Sequence, residues 1–173
     1  MIAIRTPSID DWISSNGERC EYVRGRGIER PLHDQAHSAA HTNLAVELNF
    51  YGRRTGVGEP LMSWHHRFGP EDDTRIYVPD LVFLLGQAKQ PDYADRASDL
   101  MIEIASRGEE AWLAEKVKFY LENGAKRAWV VDPHRRRIGI YSPDASPRNI
   151  EADGVLTDDL LPGFELPLAS IFD

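Results

Sequence analysis

Two apolar runs that each contain one carboxylate constrain this chain most. The first is Ile76-Tyr77-Val78-Pro79-Asp80-Leu81-Val82-Phe83-Leu84-Leu85 and the second Leu100-Met101-Ile102-Glu103-Ile104-Ala105. Such runs bury their side chains, and a buried carboxylate persists only with a partner or a metal. A helical segment with Glu115-Lys116-Val117-Lys118-Phe119-Tyr120 follows, then the strand-like Arg127-Ala128-Trp129-Val130-Val131 ending at Asp132-Pro133. Two carboxylates on neighbouring strands, with a lysine on the next helix, are the parts of a metal-dependent phosphodiesterase site.

The surrounding pattern predicts one α/β domain over residues 1–173. A helix starts at Ser8-Ile9-Asp10-Asp11, with Ser8 as cap, and ends near Asn16-Gly17. A hairpin of Cys20–Arg24 and Gly27–Leu32 turns at Gly25-Arg26-Gly27. Ala40, Leu44, Leu48 and Tyr51 recur at helical spacing in a helix over 36–54, stopped by Thr55-Gly56. Strands follow at Pro60–Phe68 and Arg75–Leu85, with a turn at 69–73 between them and a loop over 86–98 after them. A strand at Leu100–Ala105, a helix at Glu109–Glu122 and strands at Arg127–Val131 and Arg137–Tyr141 complete the pattern, and an apolar tail from Leu160 to Phe172 packs back on the domain.

Alternation places Val78, Asp80 and Val82 on one face, and Met101, Glu103 and Ala105 on one face of the next strand. If the strands pair, Asp80 and Glu103 grip one divalent ion. Magnesium suits hard oxygen ligands, with manganese as substitute. His37 and His41 lie one helical turn apart and can also share a metal, although no partner motif accompanies them.

Composition narrows the class. The chain has 173 residues, 42% of them hydrophobic, enough for a core and too polar for a membrane protein. The opening Met1-Ile2-Ala3-Ile4-Arg5-Thr6-Pro7 lacks a signal peptide's apolar region, and Cys20 is the only cysteine, so a cytoplasmic location without disulfides is expected. The net charge of −8 argues against a protein coated in positive charge for nucleic acid. Arg24, Arg26 and Arg30, and later Arg135, Arg136 and Arg137, form local basic clusters, of a kind ordinarily solvated.

The ordered set Val78-Pro79-Asp80, Met101-Ile102-Glu103-Ile104, Lys116 with Tyr120, Gly124 and Trp129-Val130-Val131-Asp132-Pro133 resembles the Uma-two family of restriction-endonuclease-like proteins in the PD-(D/E)xK superfamily. Glu21 with Gly25, a histidine (His37 or His41) opening the long helix, and Leu161-Pro162-Gly163-Phe164-Glu165 extend the likeness over nearly the whole chain. The resemblance implies a PD-(D/E)xK core, a mixed β-sheet flanked by helices with an N-terminal hairpin extension. It also implies magnesium-dependent cleavage of DNA, with a homodimer suited to two-strand cleavage. Asp80 and Glu103 carry over as metal ligands and Glu21 as a further ligand or metal-water contact. The superfamily lysine position, two residues after the second acid, is Ala105, and Lys116 takes the part from the helix, with Lys118 as rival. Ala105-Ser106-Arg107-Gly108 replaces the family's Ser-Pro-Ser, and Trp112 fills a place often polar. These departures keep open a catalytically inactive interaction or DNA-binding module. The acidic charge keeps open a metal phosphohydrolase of small phosphate esters.

Overall fold

The computed structural model describes residues 14–15, 20–70, 74–86 and 91–173. Of the helix expected from Ser8 to Asn16-Gly17 only residues 14–15 are described, and they are helical; its other residues and residues 71–73 of the turn at 69–73 lie outside. Two sheets organise the described chain. The smaller has the order β2-β1-β5-β4, from β1 (Cys20–Val23), β2 (Arg26–Glu29), β4 (His66–Phe68) and β5 (Arg75–Tyr77). The larger has the order β10-β9-β8-β7-β6-β3, from β3 (Gly58–Met62), β6 (Leu81–Leu85), β7 (Leu100–Ile104), β8 (Arg127–Asp132), β9 (Arg137–Ser142) and β10 (Ala145–Ile150). It is mixed: β7 and β8 run parallel, and its other pairs are antiparallel. A two-stranded ribbon of β11 (Val155–Thr157) and β12 (Glu165–Pro167) follows.

Helices cover both faces of the larger sheet. Helix α1 (Gln35–Thr55) buries Ala40, Leu44, Leu48 and Tyr51 against Leu81, Phe83, Leu100, Ile102, Trp129 and Val131. Its start is capped by Asp34, whose carboxylate accepts from the His37 N–H at 2.9 Å, and its end by Gly56 at φ 66°. Helix α2 (Glu110–Glu122) is the crossover between β7 and β8, the connection that parallel neighbours require. It presents Leu113, Val117 and Tyr120 to the opposite face, where Met101, Val82 and Ala128 lie. The tail packs back, as its composition requires: Leu161, Phe164, Leu166, Leu168 and Ile171, the last in the short helix α3 (Ala169–Phe172), join the α1 core.

The two long strands of the sequence reading are each broken. Pro60–Phe68 is β3 and β4, separated where Ser63 takes φ 49°. Arg75–Leu85 is β5 and β6, separated at Val78-Pro79-Asp80. In both cases the chain leaves one sheet and enters the other, which a pattern of apolar residues does not register. Pro79 has no N–H to give a ladder, so the break falls there. Asp80 is therefore not a strand residue, and the alternation of Val78, Asp80 and Val82 does not set its direction. The hairpin turns at Arg24-Gly25, not at Gly25-Arg26-Gly27, since Val23 pairs with Arg26. Arg24 and Gly25 take φ 50° and 80°, the signs a two-residue hairpin loop demands. Strand β10 escaped the reading because five of its six residues are exposed and only Ile150 is buried. No helix among the described residues is long and apolar enough to cross a membrane.

Helix α1 approaches β3 backbone to backbone. A methyl group at Gly52 would collide with the Gly58 carbonyl, and one at Gly58 with the Leu84 carbonyl. We expect Gly58→Ala to force a backbone shift and cost about 1–3 kcal/mol, as overpacking does, read as a lower urea midpoint. His66 is wholly buried, with Nδ1 2.8 Å from the Trp64 carbonyl and Nε2 2.8 Å from Ser98 Oγ. Burial pushes its pKa down from 6.5 to about 4. The stability this gives is complete above pH 6.5 and is lost as pH falls toward 4, a span worth roughly 3 kcal/mol. Imidazole NMR should find this ring neutral through pH 5, and a ring titrating near 6.5 would refute the assignment.

Candidate active site at the junction of the sheets

The register of the larger sheet brings the two carboxylates of the sequence reading together. Leu81 pairs with Ile102 in antiparallel β6 and β7, so one further step sets Asp80 opposite Glu103. The Asp80 carboxylate is tied directly to β7: the Ile104 N–H donates to Asp80 Oδ2 at 2.8 Å. Glu21 arrives from the smaller sheet. It pairs with Ile28 in the hairpin, and its Oε1 accepts from the Val78 N–H at 3.1 Å, just beyond β5. Lys116 lies on the buried stripe of α2 with Leu113, Val117 and Tyr120, a spacing of three and four residues. The four residues are at most 3% exposed and line one cleft of about 30 Å³, the room of a water or an ion.

Lys116 Nζ lies 2.6 Å from Glu21 Oε1 and 2.8 Å from Glu103 Oε1. Each acid has a further donor nearby. Trp112 Nε1 donates to Glu21 Oε2 at 3.1 Å, and the Tyr120 hydroxyl to Glu103 Oε1 at 2.7 Å. Burial alone would lower the Lys116 pKa, but Glu103 and Glu21 outweigh it and raise it. The amine is thus a held ammonium ion. Glu103 moves the other way: burial, with the charges of Asp80 and Glu21, pushes its pKa up to about 7 against the pull of Lys116. Lys118 is elsewhere, three-quarters exposed, with Nζ 3.8 Å from Glu122.

Asp80 has its own ring of partners. Arg30 Nη2 lies 2.5 Å from Oδ1, and His37 Nε2 lies 3.5 Å from Oδ2. His41 Nε2 meets the Asp80 carbonyl at 3.0 Å. Burial would raise the Asp80 pKa, yet His37, the Arg30 guanidinium and the Ile104 N–H together hold it well below the usual carboxylate range. Both histidines of the long helix therefore converge on Asp80, one on its side chain and one on its backbone. Arg30, read from sequence only as part of a basic cluster, is 12% exposed at the side chain and belongs to the site. No spacing or motif signals it, because it reaches Asp80 across 50 positions of sequence. Trp112 and Tyr120 were visible, but not as hydrogen-bond donors to the acids. The late cluster differs: Arg135 pairs with Asp132 and Glu110, and Arg136 with Asp173, away from the site.

The carboxylates offer hard oxygen donors beside an ion-sized cleft. His33, His37 and Asp80 also each present one ligand atom within 4.8 Å of the others. Both donor sets are chemically fit for a divalent ion.

The fold is that of a restriction-endonuclease-like nuclease. A crystal structure described as a putative nuclease belonging to DUF820, from Anabaena variabilis, superposes with a TM-score of 0.80 at 20% identity, covering 95% of this chain and 97% of that one. The Uma2 family, described as "Putative restriction endonuclease", matches residues 7–169, and the chain belongs to it. No curated protein matches.

Lys116→Met would leave Glu21 and Glu103 buried without their cation. We expect metal-free protein to lose about 3–5 kcal/mol in urea denaturation, and Lys116→Met with Glu103→Gln to lose less than the sum of the single variants.

Proposed function

We propose that the protein is a metal-dependent endonuclease that hydrolyses phosphodiester bonds in DNA, working as one nuclease-like domain. The observation that carries this reading is the Lys116 ammonium held between Glu21 and Glu103, in one cleft with Asp80. Membership of the Uma2 family supports nucleic acid as the substrate. Asp80 and Glu103 would hold the ion, with magnesium matching their hard oxygens and manganese its substitute. When bound, such an ion polarises a phosphoryl oxygen and lowers the pKa of a coordinated water.

The chain's own residues supply the rest. Glu21 and Glu103 fix Lys116 Nζ at the edge of the cleft. Because the raised pKa keeps that nitrogen protonated, Lys116 orients the attacking water and offsets developing negative charge, and does not act as a base. Trp112 and Tyr120 brace the acids that brace the lysine. Glu103 gains a proton near pH 7 and so competes with cation binding below it, which predicts activity that rises with pH through neutrality.

Purified protein incubated with supercoiled plasmid and magnesium or manganese tests the reading. Asp80→Ala and Glu103→Ala should abolish cleavage, as should chelation. Lys116→Ala should remove most activity while ion binding persists, and Lys118→Ala should stay within about tenfold of wild type, equivalent to roughly 1.4 kcal/mol. Cleavage that survives both acid substitutions comes from a contaminant and refutes the proposal.

One observation favours a second reading, an inactive nuclease-fold binding module. Arg30 already occupies Asp80 Oδ1 at 2.5 Å, where an ion would have to bind. Calorimetric titration separates the two: magnesium heat that depends on both Asp80 and Glu103 excludes the module, and its absence supports it.

A further inference from the structure

We propose a second cation site, formed by His33, His37 and Asp80, that selects a divalent transition-metal ion of the zinc and cobalt class over magnesium. It shares Asp80 with the carboxylate pair but takes its other ligands from the entrance of α1.

The placement follows from the helix start. Asp34 caps α1, so His33 lies just before the cap and His37 in the first turn, four residues apart. The rings stack, with centroids 3.7 Å apart and planes 18° apart, so the exposed His33 ring turns on binding to bring its nitrogen to the ion. The crossing from β5 to β6 delivers Asp80 to the same point. The ligand atoms of all three then lie within 4.8 Å of one another.

One contact singles this cluster out. His37 is 1% exposed, and its Nε2 faces Asp80 Oδ2 at 3.5 Å, long for a charge-assisted hydrogen bond. That spacing matches two ligands of one tetrahedral ion, which bonds of about 2.1 Å set roughly 3.4 Å apart. Asp80 divides its oxygens suitably: Arg30 takes Oδ1, while Oδ2 faces the histidines. His41 is committed to the Asp80 carbonyl and is not a ligand.

The donor set decides the ion. Two imidazole nitrogens and one carboxylate suit first-row transition ions, whereas magnesium demands oxygen and sheds water reluctantly. Three protein ligands leave positions open to water, the arrangement of reactive rather than purely structural sites. His33 is exposed and gives an ion its way in.

Cobalt(II) is the probe, since tetrahedral nitrogen-rich sites colour it and magnesium sites do not bind it in that geometry. Metal-free protein is titrated while visible absorption and binding heat are recorded. Wild type should bind with visible bands. His33→Ala, a change at an exposed side chain, should weaken binding at least about tenfold, the scale of losing a metal-site group, while Glu103→Gln changes it less than about threefold. Circular dichroism checks that each variant is folded. Absence of the bands in wild type, or affinity indifferent to His33→Ala, overturns the proposal. Indifference to His33 with collapse in Glu103→Gln places cobalt on the carboxylate pair, so this inference fails and the nuclease reading stands. The expected cobalt pattern in a protein that cleaves no plasmid has the opposite meaning: the site is there and the nuclease reading fails.

Discussion

The ammonium group of Lys116 sits where three elements meet. It extends from α2, touches Glu21 on the smaller sheet and reaches Glu103 on the larger. Three buried charges in one place are costly, and each is retained only because the others are present. Remove the lysine and two buried acids face each other without a cation. Remove either acid and the lysine loses a partner. The arrangement therefore couples helix docking, sheet packing and site geometry in a single set of contacts. Hydrogen bonds from Trp112, Tyr120 and the Val78 N–H add to it, engaging both oxygens of Glu21 and Oε1 of Glu103.

A second set of charges surrounds Asp80, only one pairing step from Glu103. Its partners come from the opposite side: Arg30 from the segment entering α1, and His37 and His41 from the helix itself. The cleft is thus bounded by cations on two sides and acids within. This distribution explains why neighbouring carboxylates behave in opposite ways. Asp80, with Arg30 and a backbone donor, is held as an anion, while Glu103, deeper and flanked by Asp80 and Glu21, is pushed toward its acid form. A divalent ion beside the pair would relieve that repulsion. The local charge pattern is also compatible with the acidic net charge of −8, since the proposed binding at this cleft would depend on a few placed cations and not on the surface as a whole.

Much of this was legible in the residues. Helices α1 and α2 announce themselves by apolar stripes and stop signals, and β7 by a short run of buried residues, because helical and strand periodicities are local properties. The acids stood out for the same reason: each interrupts an apolar run. Lys116 could be distinguished from Lys118 because Leu113, Val117 and Tyr120 define which side of α2 is inward, and Lys118 points away from it toward Glu122.

What periodicity could not contain was the change of partner within a run. Residues 75–85 read as one strand, and whether the chain stays in a sheet or crosses to the next depends on strands that arrive from elsewhere. The crossing at Val78-Pro79-Asp80 determines where Asp80 points, and so which groups it meets. Arg30 and His33 were invisible as site residues for a related reason: an arginine in a basic cluster looks solvated until a carboxylate 50 positions away closes on it. The amino-acid sequence by itself determined the helices, the buried strands and the two acids Asp80 and Glu103, all of which rest on local spacing, while Glu21 and Lys116 were read through the family resemblance. Tertiary structure alone decided that the charges form one joint between two sheets, because the energy of a buried ion pair depends on distances that only folding sets.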